Sequence, residues 1–267
     1  MKIGIVASWF DMMFLFKIFQ KYDFQYYVYR DWNNSYYQDK WYNFFYQKVK
    51  EGFDFLDSLG VDKIIVPPVL EFDFYQEEKL FPLFRRYLWD CCLPNSLVGK
   101  IWFIGDFADM EVIEDKFSNF TKDYDLTPNQ KNVKKFCFPF AVWKKKVYLW
   151  KFFLNTLSFR SWLVNNVIKH DLRYFKDASV DTLIPLNYWY FAFEKSIVNK
   201  INTNKIRFQR FYKIEEIFGN YMDWVQDQYK VTIYSNWITD FLFQDKKWEK
   251  ILTRGWKEDI NIKEVSN

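Results

Sequence analysis

The chain has 267 residues, 50% of them apolar, 24% aromatic and 27% charged, which is enough apolar material for one or two globular domains and too much for a disordered chain. Its 38 basic and 34 acidic residues leave a net charge of +4 and are well mixed, and the longest basic run, Lys144-Lys145-Lys146, reads as a solvated patch, so no nucleic-acid partner is expected. With only 7 glycines there are no Gly-rich phosphate loops, and no stretch approaches the roughly 18 uninterrupted apolar residues of a membrane span.

In chain order, residues 3–7 read as a strand, and Asp11 is placed to N-cap a helix running to about residue 21. The apolar start is a buried strand rather than a signal peptide, because Asp11 interrupts it and no small-residue cleavage pattern follows. Residues 24–29 form the next strand and 31–39 a polar loop. A long helix then carries Tyr42, Phe45, Val49, Phe53 and Leu56 at spacings of three and four, and Gly60 stands where a C-terminal cap belongs. Residues 61–66 follow as an apolar strand. Strands without polar alternation, separated by amphipathic helices, indicate a parallel sheet covered on both faces.

Further along, residues 206–211 and 231–234 read as strands, with helices near 214–228 and 240–252. These last sixty or so residues are expected to complete the first sheet, leaving the middle of the chain as an inserted domain. Cys91, Cys92 and Cys137 are odd in number and two are adjacent, which suits no disulfide framework and points to a reducing compartment, the cytoplasm. His170, the only histidine, reads as an exposed helical residue, and no His, Cys or carboxylate cluster has metal-ligand spacing.

The chain also echoes itself. Val61-Asp62-Lys63-Ile64-Ile65-Val66-Pro67-Pro68 is similar to Val180-Asp181-Thr182-Leu183-Ile184-Pro185-Leu186-Asn187, and Lys2-Ile3-Gly4-Ile5-Val6-Ala7-Ser8 more faintly to Lys100-Ile101-Trp102-Phe103-Ile104-Gly105-Asp106. Two related α/β halves are implied. Ligands of such sheets bind beyond the carboxyl ends of the strands, which makes Ser8, Pro68, Asp106 and Asn187 cleft candidates.

These segments resemble the aspartate/glutamate racemase family. Residues 179–190, Ser-Val-Asp-Thr-Leu-Ile-Pro-Leu-Asn-Tyr-Trp-Tyr, resemble the glutamate racemase signature G-V-D-T-L-I-L-G-C-T-H-Y, with D-T-L-I and the closing tyrosine in register. Residues 58–70 look like the family's helix end and strand leading to A-C-N-T. Residues 3–8 look like I-G-V-F-D-S, and 31–40 are similar to the loop D-T-A-x-x-P-Y-G-x-K, keeping Asp31, Tyr37 and Lys40. The matching segments fall in family order across nearly the whole chain.

The resemblance implies two pseudo-symmetric three-layer α/β domains with mostly parallel sheets and an interdomain cleft. The first would comprise residues 1–97 plus 208–267, and the second, inserted domain residues 98–207. Glutamate racemases deprotonate the substrate α-carbon with one cysteine and reprotonate its opposite face with another, which needs two facing thiols. Here Pro68 and Asn187 hold the matching positions, Ala7 stands for the acid of the first strand, Trp189 for the histidine and Tyr188 for the threonine beside the second cysteine. No catalytic residue, metal or cofactor is therefore expected.

The candidate cleft residues are Ser8, Trp9, Asn33, Tyr36, Tyr37, Asp106, Asn187, Tyr188 and Trp189, where aromatic volume replaces the family's small residues. Three functions follow from the resemblance: a degenerate racemase acting as a binding or regulatory protein, a protein with a changed ligand in the same cleft, or an active glutamate racemase supplying D-glutamate for peptidoglycan. A small molecule in the cleft, a protein partner and a homodimer are the partners left open, without nucleic acid or membrane.

Overall fold

Five short runs, four of them β-branched or aliphatic and one dominated by tyrosine, build the first sheet. A computed structural model of the chain describes residues 1–7, 9–19, 21–30, 42–88, 101–104, 116, 161–177, 182–201, 207–208, 212–221, 230–235 and 260–264. Its strands are β1 (Lys2–Val6), β2 (Gln25–Arg30), β3 (Lys63–Ile65), β4 (Ile101–Ile104), β5 (Thr182–Pro185), β6 (Arg207–Phe208), β7 (Lys230–Ser235) and β8 (Ile260–Glu264). The helices are α1 (Trp9–Phe19), α2 (Tyr42–Ser58), α3 (Leu83–Tyr87), α4 (Trp162–Asp177), α5 (Glu194–Ile201) and α6 (Tyr212–Tyr221).

The chain divides into two compact units, Met1–Leu83 with Phe218–Asn267, and Phe84–Ile217. The first holds a sheet of order β3-β1-β2-β7-β8 and the second a sheet of order β4-β5-β6, and every strand pair in both is parallel. Parallel strands need crossovers, so this α/β architecture follows from the alternation of apolar strands and amphipathic helices.

The two sequence echoes pair with each other in the same register. In the first unit Ile3, Gly4 and Ile5 of β1 lie opposite Lys63, Ile64 and Ile65 of β3. In the second, the corresponding Ile101, Trp102 and Phe103 of β4 lie opposite Thr182, Leu183 and Ile184 of β5. Similar strings thus pair in the same register in the two sheets.

The long helix forms where its periodicity placed it. Tyr42, Phe45, Val49, Phe53 and Leu56 are buried on one face of α2, joined by Gly52, and each fully buried apolar side chain contributes about 1.5–3 kcal/mol. Gly52 is there for closeness: a Cβ would lie 2.5 Å from the Tyr29 ring of β2 and 3.1 Å from Val6 of β1. Gly60 is there for its backbone, since φ is +68° and its N–H donates to the Asp57 carbonyl at 2.9 Å, the left-handed stop that a side chain resists.

Several boundaries differ from expectation. Helix α1 starts at Trp9, so Asp11 lies within its first turn instead of capping it, and its carboxylate is buried there at the positive end of the helix dipole. The strand expected over 61–66 keeps only Lys63–Ile65 in the ladder. The helix expected over 214–228 is α6, which starts two residues earlier, at Tyr212; residues 222–228 and the helix expected over 240–252 lie outside the described residues.

Strand β6, expected in the first sheet, pairs with β5 in the second. The first sheet is completed by β7 and by β8, which sequence reading missed. The outer edge of β3 is covered: the Ile64 N–H donates to the Lys79 carbonyl at 2.7 Å and the Phe81 N–H to the Ile64 carbonyl at 2.8 Å, which removes an open edge from the sheet.

Candidate functional site

Strand order places the candidate site. The chain runs from β1 to β2 on one side and returns to β3 on the other, so the order reverses between β1 and β3. Open parallel sheets bind ligands beyond the carboxyl ends of the strands at such a reversal. Here that is the chain following Val6 and the chain following Ile65.

After β3 every residue from Val66 to Leu70 is buried, and all are proline or aliphatic. Pro67 takes φ −54° and ψ 142°, the extended conformation that a following proline imposes. Pro68 opens a 3-10 turn, Pro68–Leu70, where a missing N–H costs nothing because first-turn donors have no intrahelical acceptor. The turn closes with the Leu70 N–H donating to the Pro67 carbonyl at 2.9 Å. Ala7, which directly follows β1, is buried as well.

The second unit repeats this local course one residue later. After β5, Asn187 is extended at φ −124° and ψ 135° and precedes a 3-10 helix, Tyr188–Phe193, whose Tyr190 N–H donates to the Asn187 carbonyl at 3.3 Å. Asn187, Tyr188, Trp189 and Tyr190 are all buried. The Trp189 and Tyr190 rings stack at 3.8 Å between centroids and 22° between planes, and Phe193 meets Trp189 edge-on at 6.4 Å. Aromatic groups here fill volume, each ring pair adding about 0.5–1.5 kcal/mol beyond its burial.

Of the candidates read from sequence, Asn187, Tyr188 and Trp189 are thus placed together at the end of β5. Trp9 is the first residue of α1, at the end of β1, and its side chain is outside the described set. Ser8, Asn33, Tyr36, Tyr37 and Asp106 lie outside the described residues, as do Cys91, Cys92 and Cys137. His170 is exposed on α4, its Nδ1 3.9 Å from an Asp171 carboxylate oxygen.

Sequence reading places neither of the two buried carboxylates that follow these strands among the site candidates, and gives Asp11 only the role of a helix cap. Glu71, which ends the 3-10 turn after β3, and Asp11, in the first turn after β1, are both buried. Their signal was local: an acid set among apolar residues, as in Val69-Leu70-Glu71-Phe72, where a solvated acid is not expected. Two residues after Glu71, the Asp73 carboxylate accepts a hydrogen bond from the hydroxyl of Tyr42, at the start of α2. Burial first, and then the Asp73 charge, hold the Tyr42 hydroxyl well above its ordinary range, so it stays protonated.

Among the described residues no group of three or more His, Cys, Asp or Glu could hold a metal ion, and no helix is long and apolar enough to cross a membrane. No protein-family model and no curated protein sequence matches the chain. Solved structures do. The structure is similar to glutamate racemase from Bacillus anthracis, with a TM-score of 0.68 at 12% identity over 99% of this chain and 97% of that one. Glutamate racemase from Aquifex pyrophilus matches with a TM-score of 0.64 at 18% identity over 99% and 98% of the two chains. That from Campylobacter jejuni matches with a TM-score of 0.68 at 11% identity over 94% and 98%. The resemblance read from sequence is therefore carried by the structure, and the chain has the α/β fold of the aspartate/glutamate racemases.

Proposed function

We propose that this chain is a degenerate racemase that acts as a binding or regulatory protein and moves no proton at carbon. The observation that supports this reading most is the pair of strand ends. By the family motifs, A-C-N-T falls on Pro67, Pro68, Val69 and Leu70, and G-C-T-H on Leu186, Asn187, Tyr188 and Trp189. Proline has no side-chain heteroatom and a carboxamide does not titrate in water, so neither position offers a base. Around them, among the described residues, the first end is an apolar run and the second a buried aromatic stack, a lining that fills volume around both positions.

The test is isotopic. The purified chain incubated in heavy water with L- or D-glutamate, or L- or D-aspartate, should incorporate no deuterium at the α-carbon and leave chirality unchanged. Detectable exchange with any of the four would instead support an active racemase. A cytoplasmic location accompanies the proposal, supported by the odd cysteine count with its adjacent pair.

A second reading, a changed ligand at the same strand ends, is favoured by the buried carboxylates Asp11 and Glu71 beside the strand-order reversal, since buried acids concentrate at functional sites. A small-molecule screen by thermal shift separates the two, because a ligand that binds only the folded chain raises its melting temperature.

A further inference from the structure

We infer that the chain rests on an anionic lipid surface through the N-terminal end of α4, with Trp162 and Leu163 set into the headgroup region and Lys169 among the lipid phosphates. Surface residues and charge carry this contact, which is independent of any chemistry at the strand ends. The membrane excluded by the sequence is a span, and a surface contact needs far fewer apolar residues.

Charges that are mixed over most of the chain segregate in one place. Residues 126–170 contain nine lysines and arginines and no aspartate or glutamate. The remaining 29 basic residues are outnumbered by the 34 acids, so the positive net charge of the whole chain comes from this stretch. Ten aromatic residues share it, Trp143, Trp150 and Trp162 among them. Cations interleaved with tryptophan, phenylalanine and leucine, without acids, are the composition of segments that lie on anionic lipid.

Helix α4 begins at the described end of that stretch. Ser161 caps it: its hydroxyl accepts the Val164 N–H at 3.2 Å and its carbonyl the Asn165 N–H at 3.1 Å, so Trp162 and Leu163 belong to a first turn that is held in place. Val164, Ile168, Asp171 and Leu172 are buried, while Trp162, Leu163, Asn166, Lys169, His170 and Arg173 are exposed. At about 100° per residue the exposed positions share one arc, opposite the buried set. Trp162 is 78% and Leu163 51% exposed, and an interface that covers two adjacent apolar side chains recovers the hydrophobic free energy that water withholds.

The arc is not uniform along its length. Asp177, the last residue of α4, falls on it about 22 Å along the axis from Trp162, so the face is apolar and basic at its start and acidic at its end. Only the start suits a negative surface, and the positive end of the helix dipole lies there too. The same cations would also suit a nucleic acid, but the exposed pair favours lipid. Leu163 has no ring to stack on a base, and the Trp162 indole beside it suits the headgroup level, where its ring is covered and its N–H stays wet. The Lys169 stem can lie along apolar surface while its ammonium reaches a phosphate.

The test is sedimentation of the full chain with lipid vesicles. Phosphatidylcholine vesicles containing about one-third phosphatidylserine should bind it, and pure phosphatidylcholine should bind it at least about tenfold more weakly. Binding should weaken with added salt. The double variant Trp162→Ser with Leu163→Ser should lower the partition coefficient about tenfold, and Lys169→Glu should lower it by a comparable factor.

All three substitutions are at exposed positions, and far-ultraviolet circular dichroism checks that the variants fold; if either does not, Trp162→Gln and Lys169→Gln replace them in the same assay. A wild type that stays in the supernatant, equal binding to the two lipids, or binding that ignores the substitutions would each overturn the inference. Tighter binding to a single-stranded oligonucleotide than to the vesicles, lost in the same variants, would assign the face to nucleic acid and overturn it too.

Discussion

The end of β3 and the end of β5 follow the same backbone course and are filled in opposite ways. Both run from a buried parallel strand into a 3-10 segment, and both strands lie in equivalent register against a partner that is itself repeated. After β3 the filling is proline and aliphatic, and stiff. After β5 it is an amide followed by stacked rings. The contrast shows that the fold specifies the path of these turns while leaving their chemistry open, because an i to i+3 backbone hydrogen bond sets a 3-10 turn whatever side chain starts it.

Truncation should separate the two ends most strongly at the aromatic one. Trp189→Ala removes one of the largest fully buried side chains and should cost about 3–5 kcal/mol in urea unfolding. Leu70→Ala, at the aliphatic end, should cost about 3 kcal/mol in the same measurement, and a larger loss there than at Trp189 would reverse the contrast.

The next effect is polar and belongs to the β3 end alone. Tyr42→Phe deletes the hydroxyl that donates to Asp73 and should cost about 1–2 kcal/mol near neutral pH. Because the folded state raises the Tyr42 pKa above its ordinary 10.0, the hydroxyl's contribution is fully present below that value. It is lost as pH rises beyond it, since the unfolded chain ionises first. Stability curves of wild type and Tyr42→Phe should therefore converge at alkaline pH, and a gap that widens instead would contradict the assignment.

Smallest is Lys50→Ala. Lys50 reaches Asp54 at 2.7 Å and Glu77 at 3.1 Å and lies over the Phe53 and Phe74 rings at 5.4 and 5.9 Å, tying the segment after β3 to α2. With all three charges well exposed, the loss should stay below about 1 kcal/mol and shrink in salt.

Much was determined by sequence alone. The buried stripe of α2, the left-handed stop at Gly60 and the apolar strands β1, β3 and β5 could be read because they are set by local periodicity and backbone sterics. The internal echo could be read because strands buried on both faces keep their aliphatic content. The replacement of two thiol positions by Pro68 and Asn187 also needed no coordinates.

Other features required tertiary structure, because each depends on partners distant in the chain. Arg207–Phe208 joins the second sheet through β5 and not the first, a choice between two apolar neighbours that two residues cannot encode. Ile260–Glu264 alternates isoleucine with polar residues, a weak local signal, and becomes a strand because Lys230–Ser235 lies beside it. Asp11, Glu71 and Trp189 are buried by what packs over them: local sequence sets a side chain's chemistry and the turn it occupies, but only long-range packing decides how much water it meets.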